Sequence, residues 1–219
     1  MIRDAATVVL VRDGAVLMGQ RGSRAAFMPS KFVFPGGAVD PHDGDVAPAR
    51  ELPAREAARL SEHAAPALAR ALPMAAVREL WEETGLRLSA PGPWDAPPKG
   101  WRGFARGGHR PDAAPLRFVF RAITPPGRPR RFDARFFMAD ASAVSGDPDD
   151  FSAAEDELSN VHWVPLAEAR ALDLPFITEL VIAEIEAIVA GKDQEGVPFL
   201  RNDEEETLFL RLHGRPQDR

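Results

Sequence analysis

Apolar runs separated by turn residues predict a chain that mixes strands with helices. Residues 6–11 and 15–19 are short apolar runs rich in valine and leucine, and Arg12-Asp13-Gly14 between them predicts a β-hairpin turn. Further strands are predicted at 31–34, 116–123, 134–139 and 158–164. Helical spacing or composition predicts helices at 54–63, 67–72, 166–171 and 176–190.

The segment that follows Pro73 has the strongest helical signature. One stripe recurs at every third or fourth position and is typical of a buried face: Val77, Leu80, Trp81 and Thr84. The opposite face is charged: Arg78, Glu79, Glu82 and Glu83. Pro73 is tolerated in a first turn and is predicted to open this helix, and Gly85 is predicted to close it as a C-cap.

The charged face predicts either a solvated surface or a cation site. Glu79 and Glu83 are four residues apart, so their carboxylates meet over one helical turn and repel each other unless a cation lies between them. Mg²⁺ and Mn²⁺ prefer such oxygen ligands. Arg78 is placed to pair with Glu82 one turn later.

Two segments together resemble the Nudix box, G-x5-E-x7-R-E-U-x-E-E-x-G-U with U apolar. Residues 78–86 match every defined position of its second half, and Gly37, in Phe34-Pro35-Gly36-Gly37, matches its first glycine. Arg78 lies 41 positions after Gly37, whereas an uninterrupted box places its arginine 14 positions after the glycine. The box is therefore predicted to be split by about 27 extra residues.

The resemblance implies an α+β fold, a Nudix-type α/β/α sandwich with a mixed sheet and a C-terminal helix. It implies one domain over 1–219, with a helical insertion at 41–73 inside the box and a C-terminal extension at 192–219. Some family members that resemble a peroxisomal coenzyme A diphosphatase carry an insertion at this point. The chain is similar to a bacterial-type relative of that branch.

The first box glutamate has no direct counterpart. Six positions after Gly37 the chain has Asp43, and eight positions before Arg78 it has Arg70. Asp43 and Glu51 are both candidates to replace the glutamate, and spacing does not choose between them.

The resemblance also assigns roles in a metal-dependent site. It implies that Glu79, Glu82, Glu83 and the carbonyl of Gly37 hold Mg²⁺ or Mn²⁺, and that Arg78 fixes the acids. A further acid is expected a few residues before Trp163, with Glu157 the first choice and Glu155 the second. Glu82 or Glu157 is expected to orient or deprotonate the attacking water. A solvated loop is the alternative for Glu157.

Basic residues indicate a phosphate-bearing substrate. Leu17 to Gly37 resembles a motif of coenzyme A-type Nudix hydrolases, with Arg21 in register and Arg24 nearby. Lys99 to Arg135 carries a net charge of +8, and in it Arg121 and Arg135 lie on predicted strands. Arginine presents a planar fork that suits phosphate oxygens. Pairing with surface acids is the alternative for each arginine.

Composition narrows the class of protein. The 219 residues are 45% hydrophobic and contain no cysteine, which excludes disulfides and cysteine nucleophiles. The net charge of −6 argues against a nucleic-acid partner, and the apolar runs are too short to span a membrane. The cytoplasm is therefore the expected location. Residues 196–219 are expected to pack on the domain or on the partner subunit of a homodimer.

The expected function is hydrolysis of a diphosphate linkage in a nucleoside diphosphate derivative, with coenzyme A or an acyl-coenzyme A first among the substrates. ADP-ribose, NDP-sugars, dinucleotides and nucleoside triphosphates are the alternatives. A non-catalytic domain that senses a nucleotide is the alternative from another class, because one box glutamate is missing. Trp94, Trp101 and Phe104 are expected either to stack on a base or to pack their proline-rich loop.

Overall fold

The computed structural model describes residues 1–23, 28–203 and 206–215. Arg24, one of the predicted substrate residues, lies outside the described residues. Along the described residues the strands are β1 (Ile2–Arg12), β2 (Ala15–Arg21), β3 (Phe32–Val33), β4 (Gly36–Ala38), β5 (Arg87–Pro91), β6 (His109–Pro111), β7 (Arg117–Ile123), β8 (Arg131–Asp140), β9 (Val144–Ser145), β10 (Leu158–Pro165), β11 (Val197–Asn202) and β12 (Thr207–Leu212). The α-helices are α1 (Ala54–Ser61), α2 (Pro66–Thr84), α3 (Leu166–Ala169) and α4 (Phe176–Val189).

A mixed sheet forms the centre of the molecule. Its strands run in the order β10-β2-β1-β8-β7-β11-β12, with β3 paired to β2 and β4 paired to β1. β1 and β8 are parallel over ten residue pairs, which set Ala6 beside Arg135. β7 and β11 are also parallel, and the remaining pairs in this sheet are antiparallel. β5, β6 and β9 form a second, smaller sheet.

Helices cover both faces of the main sheet, as the alternation of side chains along β1 requires. Val8 and Leu10 pack on one face with Val77 of α2, in the larger of the two clusters of buried hydrophobic residues. Val9 lies on the other face and packs in the cluster that contains Ile182 of α4. The predicted α+β fold with a three-layer sandwich is confirmed.

The N-terminal hairpin forms where the sequence predicts it. Arg12 pairs with Ala15, and Asp13 and Gly14 form the two-residue turn with φ of 50° and 75°. Positive φ at both turn positions gives the twist that suits a tight hairpin, and aspartate followed by glycine tolerates it.

The helix that carries the box acids is longer than the sequence predicts. α2 starts at Pro66, which occupies its first turn, and the helix continues without a break through Pro73. The prediction that Pro73 opens the helix is wrong. Leu72 and Met74 on either side of it are buried, and their burial offsets the backbone hydrogen bond that proline removes. Gly85 ends the helix in the left-handed conformation, φ 78°, as predicted.

The proline-rich loop after α2 is held by its aromatic side chains. Trp101 and Phe104 are buried, and Phe104 meets Trp81 edge-on at a centroid distance of 5.9 Å. Trp94 packs on Trp101 at 5.7 Å. Trp101 and Phe104 therefore pack the loop, and the expectation that they stack on a base is wrong.

The C-terminal residues complete the sheet. β11 pairs with β7, and β12 pairs with β11 and forms the sheet edge. These two strands are not predicted by the sequence analysis. Of the two arrangements expected for the tail, packing on its own domain is the one observed. No helix in the described part of the chain is long and apolar enough to cross a membrane.

Candidate active site

Arg78 is the centre of the ion pairs on the box helix. Its Nη1 donates to Glu79 Oε1 at 2.8 Å and to Glu82 Oε2 at 2.7 Å, so the predicted pair one turn apart is confirmed. Its Nη2 also donates to the carbonyl of Ala38 at 3.0 Å. The buried guanidinium of Arg78 thus links Glu79 and Glu82 to Ala38 of β4.

Asp43 anchors Arg78 from outside the helix. Its carboxylate is completely buried and accepts from Arg78 Nε at 2.9 Å and from Nη2 at 3.1 Å. Asp43 Oδ2 also accepts from the backbone N–H of Asp40 at 2.8 Å. Glu51, the other candidate for this place, is exposed. The structure therefore places Asp43, and not Glu51, against Arg78, which sequence spacing alone left open.

Glu83 is a buried acid with one oxygen unused. Its Oε2 accepts from the backbone N–H of Gly36 at 2.7 Å, a contact that the sequence analysis did not foresee. Its Oε1 is buried and has no hydrogen-bond partner. Burial raises the pKa of Glu83 well above its ordinary value, and the nearby charges of Glu79 and Glu157 raise it further. An unpartnered buried carboxylate oxygen is costly and calls for a cation or a proton.

Gly36 and Gly37 lie in strand β4 and not in the predicted turn, and this strand fits closely against Glu79. A Cβ atom at Gly37 would lie 2.5 Å from the Glu79 carboxyl carbon, so only glycine allows this approach. Burial raises the pKa of Glu79 to about 7, although the charge of Arg78 opposes the rise. The Glu79 carboxylate therefore lies against the backbone that the sequence predicted as part of a metal site.

Glu157 reaches the acids from the loop before β10. The electrostatic influence of Glu157 extends to both Glu79 and Glu83. Arg21 Nη2 donates to Glu157 Oε1 at 3.1 Å, and Leu158 pairs with Arg21 across β10 and β2. Arg21, predicted to contact substrate, thus lies beside the acids in an ion pair with one of them.

The other two predicted substrate arginines lie in internal ion pairs. Arg121 forms a two-bond pair with Asp133, at 2.9 Å from Nε and 2.7 Å from Nη2. Arg135 is buried and pairs with Asp4 at 2.6 Å and with Asp133 at 3.2 Å. None of these pairs involves a box acid. The prediction that Arg121 and Arg135 contact substrate is wrong, because the parallel pairing of β1 with β8 brings Asp4 to Arg135 and the antiparallel pairing of β7 with β8 brings Asp133 to Arg121.

The donor set suits a hard divalent cation, although the acids do not yet surround one point. In the described parts of the chain, no three His, Asp or Glu side chains are gathered tightly enough to hold an ion as they stand. Arg78 holds Glu79 and Glu82, and Gly36 holds one oxygen of Glu83. Glu83 Oε1 has no partner, and burial raises the pKa of both Glu79 and Glu83, so the ionised carboxylates are disfavoured here as they stand. A cation at Glu79 and Glu83 would compensate their charge.

The raised pKa of Glu79 predicts that the metal-free protein loses stability as pH rises. The folded state keeps a proton on Glu79 up to about pH 7, whereas the unfolded state releases it near 4.5. Stability should therefore fall as pH rises through this range, and Glu82 and Glu83, whose pKa values burial also raises, add to the fall. Thermal unfolding in chelator from about pH 5 to 8 measures this, and Mg²⁺ should remove the fall.

Glu79→Gln is the control for the pH effect, because it removes one of the titrating groups and should make the fall smaller. Asp140 and Asp149 do not interfere, because their lowered pKa values act below their ordinary value of 3.8. A melting temperature that rises across the window in the metal-free protein would contradict the assignment.

Comparison with known proteins supports the resemblance to Nudix hydrolases. No family model matches the chain. It is 27% identical over 187 residues to a protein named putative nudix hydrolase 7 of Caenorhabditis elegans, which covers 74% of the chain. The chain spans about half the length of that curated relative, 51%.

Solved structures share the fold. A NUDIX hydrolase from Alicyclobacillus acidocaldarius superposes with a TM-score of 0.63 at 28% identity, covering 87% of this chain and 92% of the other. A MutT protein from Methanosarcina mazei Go1 superposes with a TM-score of 0.50 at 14% identity, covering 86% of this chain and 95% of the other, and shows the fold alone.

The three-layer fold matches that of Nudix hydrolases of known structure. The chain is thus similar to Nudix hydrolases in both sequence and fold.

Proposed function

We propose that the protein hydrolyses a diphosphate linkage in a nucleoside diphosphate derivative, with Mg²⁺ or Mn²⁺ as cofactor. The observation that carries this proposal is Glu83, which is buried against β4 with one oxygen unpartnered and Glu79 close by. Glu79, Glu83 and the carbonyl of Gly37 would hold the cation, with Glu82 sharing it. A bound cation supplies charge neutralisation and acidifies a water molecule.

The residues around the acids have separate roles in this mechanism. Arg78 and Asp43 position Glu79 and Glu82, and they keep the box acids apart in a buried environment. Glu157 is the better candidate to accept the proton of the attacking water, because its side chain is 58% exposed while Glu82 is held by Arg78. Arg21 orients Glu157 before substrate arrives and places positive charge at the site.

Coenzyme A or an acyl-coenzyme A is the substrate we place first. The stretch from Leu17 to Gly37 supports this choice, because Arg21 lies in register with the coenzyme A-type motif and stands next to the acids. ADP-ribose, an NDP-sugar or a dinucleotide is the alternative within the same reaction class. Arg121 and Arg135 of the basic segment do not support the choice of coenzyme A as substrate, because both form ion pairs inside the protein.

We also propose that the box is split between Asp43 and Arg78. Asp43 stands six positions after Gly37, where the pattern has its first glutamate, and its carboxylate holds Arg78. The inserted residues then lie within 44–77, which is a shift from the range 41–73 expected from sequence. They form α1 and the first turns of α2.

Asp43→Asn tests this assignment. The amide keeps one acceptor but removes the charge that balances Arg78, so stability should fall by about 1–3 kcal/mol. Turnover should fall as well, because Glu79 and Glu82 lose their fixed partner. Urea unfolding and steady-state kinetics measure the two effects. Glu51→Gln is the matched control and should change neither, and equal effects of both substitutions would contradict the role of Asp43.

A substrate panel tests the reaction itself. The protein is incubated with Mg²⁺ or Mn²⁺ and with coenzyme A, ADP-ribose, NADH or dGTP, and the phosphate-bearing products are separated by chromatography. Turnover fastest with coenzyme A supports the first choice, and turnover fastest with another compound replaces it. Binding of a nucleotide without hydrolysis of any compound would favour the non-catalytic sensor and overturn the enzyme proposal.

A further inference from the structure

A cavity lies at the C-terminal end of α2. It has a volume of about 270 Å³, and the residues that line it come from the end of α2, from β5 and β6, and from the loop after β9. Its charged members are Arg87, His109, Asp147 and Asp150. None of these belongs to the proposed hydrolytic site.

Arg87 differs from the other half-buried or buried arginines that the structure describes near acids. Arg121 and Arg135 each hold a carboxylate, whereas Arg87 has no ion pair or hydrogen bond to any described residue, and its Nε is buried. The rings of Trp81 and Phe104 lie 5.9 Å and 6.0 Å from its guanidinium carbon. These distances are at the outer limit of cation–π attraction, and the N–H groups of the Arg87 guanidinium make no hydrogen bond to the described residues in this arrangement.

His109 adds a second hydrogen-bonding group to the same wall. Its Nδ1 lies 2.9 Å from Ser89 Oγ, and the Ser89 hydroxyl donates to Ser145 Oγ at 2.8 Å, so the ring is fixed in orientation. Burial lowers the pKa of His109, and the charge of Arg87 lowers it further. The inner wall therefore lacks a negative partner.

The two aspartates do not provide that partner. Both are exposed, and each caps its own loop: Asp147 accepts from the backbone N–H of Asp149 at 2.9 Å, and Asp150 accepts from that of Ser152 at 3.0 Å. Burial is the cause that lowers the pKa of Arg87, with no carboxylate raising it. Acids at an exposed rim would repel a large polyanion and leave room for a small one.

We propose that Arg87 and His109 form a binding site for a small phosphate-type oxyanion, separate from the hydrolytic site. The guanidinium fork matches two oxyanion oxygens, and a bound anion supplies the charge that the cavity lacks. The ligand is either free phosphate or the terminal group of a phosphate monoester.

The site touches the loop that carries Glu157. Ala153 lines the cavity and lies 3.1 Å from where a Cβ of Gly85 would stand. Two residues later, the backbone N–H of Glu155 donates to the carbonyl of Glu82 at 2.7 Å. An anion in the cavity therefore binds between the end of the box helix and the loop that positions the proposed base.

Inorganic phosphate is the probe, in a buffer with chelator so that the acid cluster holds no cation and repels the anion. We expect saturable binding to the full chain, measured by calorimetry and by the rise in melting temperature. Arg87→Met should raise the dissociation constant about tenfold or more and abolish the rise. Arg128→Met is the matched control, since it removes an exposed arginine of the β7–β8 connection and should bind as wild type.

The melting temperature without phosphate separates a ligand-binding role from a structural one. If Arg87 serves a ligand, Arg87→Met removes an unpaired charge and should leave the melting temperature equal or higher. A lower melting temperature with unchanged phosphate binding would overturn the proposal, as would the absence of saturable binding to wild type. His109→Gln gives a second variant that should also weaken binding.

Two further arms identify the ligand class. Ribose 5-phosphate competing more strongly than phosphate assigns a monoester, and the reverse assigns the free anion. Both results are independent of whether the acid cluster hydrolyses a diphosphate, because they are obtained without a divalent cation.

Discussion

Glu83→Gln is expected to reduce turnover by a factor on the order of 10²–10³ without unfolding the protein. The amide can still accept from the Gly36 N–H, so β4 stays in place. It cannot provide the negative charge that Glu83 Oε1 offers to a cation. Steady-state kinetics with Mg²⁺, on the substrate that the panel selects, measures the loss.

The same substitution should leave the metal-free protein as stable as wild type or more stable. Glu83 is only 2% exposed, and a buried neutral amide costs less than a buried carboxylate without a partner. Thermal unfolding in chelator above pH 7 checks this. Glu179→Gln, on the exposed face of α4, is the control that should alter neither quantity. A fully active Glu83→Gln variant would refute the metal assignment.

Arg78→Lys should be the most destabilising substitution in the box. A lysine ammonium cannot reproduce the bonds that the guanidinium makes with Asp43, Glu79 and Glu82. Asp43 would remain completely buried with its pairing weakened. Breaking a buried ion pair costs about 3–5 kcal/mol, so the free energy of unfolding should fall by an amount of that order.

Urea unfolding measures the stability of Arg78→Lys, with Arg12→Lys as the control. Arg12 also pairs with an aspartate, Asp149, but at an exposed site, where the change should be within about 1 kcal/mol. Equal losses in the two variants would show that the Arg78 network is no more important for stability than a surface pair. Activity of Arg78→Lys should fall too, since Glu79 and Glu82 lose their orientation.

Sequence predicted the local features of the site and missed the ones that need the fold. The Arg78–Glu82 pair follows from helical spacing alone, whereas the glycines predicted to form a turn lie in strand β4. The choice of Asp43 over Glu51 needed the path of the chain after β4, which spacing does not give. The burial of Glu83 likewise depends on where β4 lies against α2.

The arginines show why charge alone misleads about substrate. Arg121 and Arg135 were expected to contact phosphate because they belong to a basic segment. Their acids, Asp133 and Asp4, come from a neighbouring position and from the other end of the chain. Asp4 meets Arg135 only because β1 and β8 are parallel, and nothing in the local sequence specifies that register. The two terminal strands were missed for a similar reason, since their partners are distant.

The separation of Asp43 from Arg78 has a consequence for how the site forms during folding. Their ion pair closes a loop of 35 residues, whereas the box pattern without an insertion separates these positions by eight. Loop-closure entropy grows with the logarithm of loop length, and the difference is about 1.3 kcal/mol. Contacts between distant residues also slow folding. The acids of α2 should therefore become anchored only after the inserted residues have folded, so protection of the Arg78 region in hydrogen exchange during refolding should appear late.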